Sequence, residues 1–246
     1  MQSNIRSGMA KITVGDWRSD AKGPMQVISG PIGKEKVHYQ AIEASSLKSE
    51  METFLNWFEG ERPADLVLKA GLAHLWFVTI HPMDDGNGRI ARAIADMALA
   101  RSENSAQRFY SMSGQIRKER KAYYDVLERT QKGDLDVTEW LIWFLNCLQN
   151  AFAGAEETLA SILAKAEFWE RLKGQTISER QQLVLNKLLD GFEGKLTSSK
   201  WAKLTKTSPD TALRDITDLV ERGILEKDAG GGRSTSYSIA MLADDN

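Results

Sequence analysis

The 246-residue sequence predicts a mainly α-helical protein in two parts. Three observations carry this expectation. Apolar residues recur at helical spacing from Met51 onward. The stretch Leu66 to Ile80 is apolar on nearly every side. After Lys173-Gly174-Gln175 the pattern changes to three short helical segments followed by two strand-like runs. The expected domains are therefore 1–174 and 175–246.

Residues 1 to about 44 carry breakers rather than helical periodicity. Val27-Ile28-Ser29-Gly30-Pro31-Ile32-Gly33 followed by Lys36-Val37-His38-Tyr39 reads as a β-hairpin with a Gly/Pro tip. Met51, Phe54, Leu55 and Phe58 then mark one buried helix face. Arg62-Pro63 opens the segment Leu66 to Ile80, and a helix that is apolar all round is a central one. It runs into His81-Pro82, and proline disfavours helix at the residue before it, so His81 is expected just past the helix end.

A further helix is expected from Gly88 or Arg89, with Ile90, Ile94 and Met97 inward, and another over Ile116 to Leu127. Asp136 with Glu139 suggests a capping box for the helix containing Trp140. Leu159, Ile162, Leu163, Ala166 and Trp169 form one more amphipathic face, which packs on the same domain or on a second subunit; a homodimer is one expected partner. Beyond the boundary, helices are expected at Ser178 to Leu189, Ser198 to Leu204, and from the cap Thr207-Ser208-Pro209 to Glu221. Ile224-Leu225-Glu226-Lys227 and Ser236-Tyr237-Ser238-Ile239 bracket Gly230-Gly231-Gly232-Arg233. Three helices followed by a hairpin is the order of a winged helix-turn-helix.

A formal net charge of -2 gives no global attraction to nucleic acid or anionic membrane, so any such contact must come from a local patch. Cys147, the single cysteine, excludes an intrachain disulfide framework and suits a reducing cytoplasm. It follows the apolar run Trp140 to Leu145, which is far short of the roughly 20 residues needed to span a bilayer. Met1 to Arg6 lack the apolar core of a signal peptide. The expected location is the cytoplasm, away from membranes.

The chemistry concentrates in His81-Pro82-Met83-Asp84-Asp85-Gly86-Asn87-Gly88-Arg89-Ile90-Ala91-Arg92. Glycines around Asn87 let a loop enter a helix while presenting successive N–H groups and the helix N-terminus to an anion. Arg89 and Arg92, three residues apart, offer two guanidinium forks for phosphate oxygens. Asp85 is placed to hold Mg²⁺ against the same phosphates. His81, with an ordinary pKa near 6.5, is suited to take a proton. Singly, each has an ordinary structural reading as a turn, a solvated arginine or a helix-end histidine; the ordered set is far more specific.

This segment resembles the signature of Fic-domain proteins, His-Pro-Phe-x-Asp/Glu-Gly-Asn-Gly-Arg-x-x-Arg. It departs from that pattern only at Met83, an adaptable apolar filler where the family has phenylalanine. The resemblance runs from about Gly15 to Trp169. Phe109-Tyr110-Ser111-Met112-Ser113, the pair Tyr123-Tyr124 and Asp136 to Trp140 look like a bacterial subgroup carrying a C-terminal winged helix. The resemblance implies a Fic-type helical core with a small β-hairpin flap, and Mg²⁺-dependent transfer of AMP from ATP to a Ser, Thr or Tyr hydroxyl of a target protein, releasing pyrophosphate. By family, His81 is the base, Asp85 the Mg²⁺ ligand, and Asn87 with the Gly86 and Gly88 amides the α-phosphate cradle. Arg89 grips the phosphates, Arg92 the γ-phosphate, and Tyr124 and Gln131 resemble adenine-pocket positions. Glycine at Gly88, where a kinase branch of the family carries lysine, favours AMP transfer over phosphorylation. The hairpin with Lys36, Val37, His38 and Tyr39 corresponds to a flap that aligns a target segment by strand addition; a plain edge hairpin gives the same pattern. His38 and His74 read as structural, since with His81 they form no zinc spacing.

Family members are commonly restrained by a helix with the pattern Ser/Thr-x-x-x-Glu-Gly/Asn, whose glutamate occupies the second motif arginine. Glu59-Gly60, Glu103-Asn104 and Glu193-Gly194 are each preceded four positions earlier by leucine, so none matches. The expectation is a restraint supplied from outside this chain. In the C-terminal part, Lys200, Lys203, Lys206, Arg214 and Arg233 are candidate DNA phosphate contacts, against which stand Asp210, Asp215, Asp218 and Glu221 on or beside the same helix. The competing reading is a DNA-binding regulator whose first domain senses a nucleotide.

Overall fold

The computed structural model describes residues 5–7, 10–13, 15–21, 23–31, 33–60, 65–105, 107–229 and 235–240. Two compact units are present, Met1–Glu156 and Glu157–Asn246, and the division falls within a long helix rather than at residues 173–175.

The first unit opens with a hairpin that the sequence did not signal, β1 (Ile5–Ser7) with β2 (Ala10–Ile12). The expected hairpin follows as β3 (Gln26–Ser29) and β4 (Lys36–Gln40), antiparallel, with Val27 opposite Tyr39 and Ile28 opposite Val37. His38 is thus the extra residue of a β-bulge, a device that re-aims a side chain. Ile32 at the hairpin tip lies outside the described residues.

Helices follow. They are α1 (Leu47–Glu59), α2 (Leu66–Ile80), α3 (Asn87–Ser102), α4 (Met112–Lys118), α5 (Arg120–Lys132) and α6 (Thr138–Arg171). In α1, Leu47, Met51, Phe54 and Phe58 are buried, whereas Leu55 is exposed, because Trp57 rather than Leu55 completes the inward stripe. Asp65 caps α2, accepting from the Val67 and Leu68 N–H groups at 2.8 and 3.0 Å; Arg62 and Pro63 lie outside the described residues. As its composition requires, α2 is the central helix, with Ala70, Ala73, His74, Phe77 and Ile80 buried.

Against α2, α3 turns a small-residue face of Ala91, Ala95 and Ala98 with Leu99. Alanines at this spacing let the two backbones approach closely, which explains why Met97 is exposed instead of inward. Gly71 does the same for α6, whose Trp140 indole donates to the Gly71 carbonyl at 2.8 Å. A Cβ on Gly71 would stand 3.1 Å from Leu141 and Phe144 side-chain atoms.

The single helix expected over residues 116–127 is two, broken at Glu119. There the carboxylate accepts from Gln115 Nε2 at 2.6 Å and Asn150 Nδ2 at 2.9 Å. The expected capping box of α6 is not made. Asp136 accepts from the Thr138 N–H at 2.9 Å, but the Glu139 carboxylate is taken by Arg129 at 3.0 Å.

In the second unit, Phe168 and Leu172 at the end of α6 join a core of Val184, Leu185, Leu196, Trp201, Ile216, Leu219, Ile224 and Tyr237. Leu159, Ile162, Leu163 and Ala166, expected to share a packed face with Trp169, are exposed in this chain. The elements are α7 (Glu179–Leu189), β5 (Leu196–Thr197), α8 (Ser198–Thr205), α9 (Pro209–Glu221), β6 (Leu225–Lys227) and β7 (Ser236–Ile239). Ser178 and Gln181 form a capping box on α7. Ser208 caps α9 ahead of Pro209. The strands form one antiparallel sheet in the order β5-β7-β6. No helix among the described residues is long and apolar enough to cross a membrane.

Candidate functional site

The loop between α2 and α3 is built from both of its ends. At the first, α2 stops at Ile80, and His81 takes a left-handed conformation (φ 53°, ψ 55°) that turns the chain out of the helix. A non-glycine residue held there needs support. Arg18 supplies it. Its Nε donates to the His81 carbonyl at 2.8 Å and its N–H to the Pro82 carbonyl at 2.9 Å. Its two terminal nitrogens donate to the Ile42 carbonyl at 2.5 Å and Asp20 at 2.9 Å. Arg18 is buried.

At the other end Gly86 caps α3 with φ 89°, a value that suits glycine. Asn87 is buried, and its side-chain amide closes the loop on one residue: Oδ1 accepts from the Met83 N–H at 2.9 Å and Nδ2 donates to the Met83 carbonyl at 2.7 Å. Asp84 accepts from the Thr13 N–H at 2.7 Å. The Asn87 and Gly88 N–H groups, in the first turn of α3, have no intrahelical acceptor and are oriented for an anion. Asp85 makes two local contacts, accepting from the Gly86 N–H at 2.7 Å and from Arg89 at 3.0 Å. The Gly86 amide and the Arg89 fork are therefore both engaged by the carboxylate beside them.

His81 lines a cavity of about 530 Å³ together with Arg92, Gly88, Tyr124 and Gln131. From the hairpin, Val27, Ile28, Ser29, His38 and Tyr39 close another side of it. The His81 Nδ1 lies 3.2 Å from the Val78 carbonyl. Burial lowers the His81 pKa below 6.5, the Val78 bond opposes that shift, and the Arg18 charge adds to it. The ring is consequently neutral at pH 7 and able to accept a proton. If Nδ1 carries the hydrogen for Val78, Nε2 is the accepting nitrogen.

Of the hairpin residues expected to form a flap, His38 and Tyr39 line this cavity, whereas Val37 is exposed and Lys36 lies 3.6 Å from Glu128. His38 sits between Glu128 and Ser29, each at 2.5 Å. Tyr39 donates to the Thr79 carbonyl at 2.9 Å. Glu128, also bonded to Lys132 at 2.6 Å, has its pKa pulled down to about 2 by Lys132 and His38. Of the adenine-pocket candidates, Gln131 donates to Thr79 Oγ1 at 3.1 Å and Tyr124 stacks edge-on to Tyr123 at 5.1 Å.

His74 is structural. It is fully enclosed by Tyr123 and Trp140, Nε2 lies 3.1 Å from the Tyr123 hydroxyl, and burial with the nearby Arg92 charge drives its pKa to about 3. Cys147 is buried, with its thiol pushed up to about 12, and is inert.

Residues 3–99 match the Fic/DOC family. The matched segment includes the whole loop from His81 to Arg92. A curated relative, the probable protein adenylyltransferase aq_aa38 of Aquifex aeolicus (strain VF5), is 30% identical over 91 residues, which is 37% of this chain and 26% of the relative. The crystal structure of a Fic family protein from Desulfovibrio desulfuricans G20 gives a TM-score of 0.49 at 20% identity, over 95% of this chain and 65% of that one. A Fic domain containing signaling protein from Bacteroides thetaiotaomicron VPI-5482 gives 0.45 at 20% identity, over 58% of this chain and 53% of that one. The chain thus spans about a quarter of the curated relative's length and just under two thirds of the first structure's.

Sequence reasoning missed Arg18, Glu128 and Arg117. An isolated Arg18 beside Trp17 carries no pattern to read. Arg117 and Arg120, three residues apart, repeat the spacing of Arg89 and Arg92 and were a usable signal.

In the second unit, Lys203, Lys206 and Arg214 are exposed, while the Lys200 ammonium lies over the Phe192 ring at 5.1 Å. Arg233 lies outside the described residues, as do Gly230 to Gly232. Two of the acids noted on α9 are already engaged. Asp215 pairs with Arg180 at 2.9 and 3.0 Å, and Asp218 with Gln181 at 2.7 Å and Arg222 at 3.1 Å.

Proposed function

We propose that the N-terminal unit is a protein adenylyltransferase, moving AMP from ATP to a Ser, Thr or Tyr hydroxyl of another protein. The observation that carries this reading is the shared cavity of His81, Gly88 and Arg92, which sets a neutral base beside an anion-binding helix start and a guanidinium. In this reading the α-phosphate rests on the Asn87 and Gly88 N–H groups, with Asn87's side chain keeping the loop in shape. His81 takes the proton from the acceptor hydroxyl as it attacks. Tyr124 and Gln131 flank the adenine, and β4 aligns the acceptor segment by main-chain pairing.

One carboxylate suits Mg²⁺, which keeps several waters and shares its sites with phosphate oxygens. No group of three His, Cys, Asp or Glu that would form a protein-only metal cage occurs among the described residues. Asp85 would hold the ion, which when bound supplies positive charge to the phosphates. Turning Asp85 toward it would release both the Gly86 N–H and Arg89, which lies 3.0 Å from Asp85, for the nucleotide.

The test uses ATP labelled at the α- or the γ-phosphate, incubated with the protein and a cell extract. Transfer of α-label alone, lost in His81→Ala, supports AMP transfer; transfer of γ-label would make the protein a kinase and overturn this reading.

For the second unit we propose a winged helix, on the order α7-β5-α8-α9-β6-β7 with the sheet order β5-β7-β6. Engagement of Asp215 and Asp218 by other side chains of the unit, with Arg214 exposed beside them, favours contact of α9 with DNA phosphates. Retention of duplex DNA that falls with salt and with Lys203→Glu or Arg214→Glu tests this; unchanged retention rejects it.

A further inference from the structure

Ser29, His38 and Glu128 form a chain of hydrogen bonds along the wall of the cavity that holds His81. Ser29 Oγ lies 2.5 Å from His38 Nε2, and His38 Nδ1 lies 2.5 Å from a Glu128 carboxylate oxygen. The three come from β3, β4 and α5. Hydroxyl, imidazole and carboxylate in that order are the parts of an activated serine. Lys132 and His38 keep Glu128 ionised, so its carboxylate can only accept, and Nδ1 carries the hydrogen between them. In the neutral ring Nε2 is then the accepting nitrogen, and it faces the Ser29 hydroxyl.

A structural role accounts for half of this arrangement. The bond from His38 to Glu128 fastens the hairpin to α5, but the bond from Ser29 to His38 stays within the hairpin and ties it to nothing. Ser29 ends β3 opposite Lys36, and Gly30 turns the chain directly after it at φ 103°. The hydroxyl is therefore exposed at a turn, and His38 reaches it as the extra residue of the bulge.

The surrounding walls select a substrate class. Val27, Ile28 and Leu127 are apolar, and the Glu128 carboxylate beside the relay repels an anion. A neutral carboxylic ester with an apolar acyl group suits both features; a phosphate ester beside Glu128 suits neither.

We propose that Ser29 is a second nucleophile of this unit, with His38 as its base, and that it hydrolyses neutral esters of apolar carboxylic acids. This activity does not rest on the AMP-transfer reading. Ser29 Oγ forms a bond to the ester carbonyl carbon as its proton passes to His38 Nε2. The bond from that carbon to the alcohol oxygen breaks, and the departing oxygen takes the proton. Water then gives a proton to His38 and attacks the acyl carbon, and the bond to Oγ breaks as that proton returns to it. The products are the free acid, the alcohol and unchanged serine. Arg92 and Arg120 line the same cavity and offer positive charge to the carbonyl oxygen as it turns negative.

The test exposes the full chain, without nucleotide, to a fluorophosphonate probe and, separately, to p-nitrophenyl butyrate. The probe is expected to add once, at Ser29, as read by peptide mass. Ser29 is exposed, so Ser29→Ala leaves the core intact; it should abolish both the adduct and the ester turnover. His38→Gln, whose amide can still donate to Glu128, should slow both reactions about a hundredfold or more, the loss of a general base. No label on the unaltered chain, a label at another residue, no ester turnover, turnover retained in Ser29→Ala, or undiminished labelling of His38→Gln would each overturn the proposal. Labelling and turnover through Ser29 in a chain that transfers no AMP would sink only the transferase reading, and AMP transfer by a chain that the probe leaves unlabelled would sink only this one.

Discussion

The Arg18 guanidinium donates to the His81 carbonyl at 2.8 Å across 63 positions of sequence, and so ties the N-terminal segment to the end of the central helix. The residue that carries the candidate base is held in a left-handed conformation by its backbone as much as by its side chain. Arg18→Ala removes this bond and the bonds to Ile42 and Asp20, leaving buried carbonyls without donors. It should destabilise the unit by about 3 kcal/mol and lower transfer even though His81 remains. Arg18→Lys should recover little, because a lysine cannot serve three acceptors from one fixed plane. Urea midpoints together with transfer rates check this; a wild-type midpoint in Arg18→Ala contradicts it.

The His81 pKa is lowered chiefly by burial, so its basic form persists to lower pH than that of a free histidine. AMP transfer should therefore hold steady from pH 8 down through about 6.5 and fall only as pH drops through the shifted value. A pH–rate profile at saturating ATP reads this directly. An acid limb centred above 6.5 would contradict the burial account.

His74 has a folded pKa of about 3 against 6.5 when exposed. Between those values the unfolded chain binds the extra proton, so stability rises with pH there. Its contribution is complete above 6.5 and is lost as pH falls toward 3. His74→Gln, which keeps a polar group facing Tyr123, should flatten the decline in urea stability between pH 7 and pH 4. A variant with the same slope as the unaltered chain would assign the acid sensitivity elsewhere.

Glu128 fastens β4 to α5 through His38 at 2.5 Å and Lys36 at 3.6 Å. Glu128→Gln should speed amide hydrogen exchange at Lys36 to Gln40 severalfold while leaving α2 and α3 amides unchanged. Exchange that rises equally in all three segments would point to loss of the whole unit's stability instead of a released hairpin.

Much of this was legible in the residues because the signals were local. The all-apolar Leu66 to Ile80 stretch, the His81-Pro82 stop and the glycines around Asn87 each dictate a backbone outcome within a few positions. What was not legible depended on partners distant in sequence. The α3 face is centred on Ala91, Ala95 and Ala98, with Ile90 and Ile94 partly buried beside them and Met97 exposed, because the approach of α2 rewards small side chains. Glu139 left its expected cap for Arg129, an ion pair to a neighbouring helix. Arg18 and Glu128 matter to the site through His81 and His38, and nothing near them in sequence marks them.

The central claim is that His81, Gly88 and Arg92 together transfer an adenylyl group. The most direct measurement is the intact mass of a target protein after incubation with this chain and ATP, paired with the same reaction using His81→Ala. The account expects a mass increase equal to one adenylyl group on the target, absent with His81→Ala. An increase equal to a single phosphate, or an adenylyl adduct that forms equally well with His81→Ala, would contradict it.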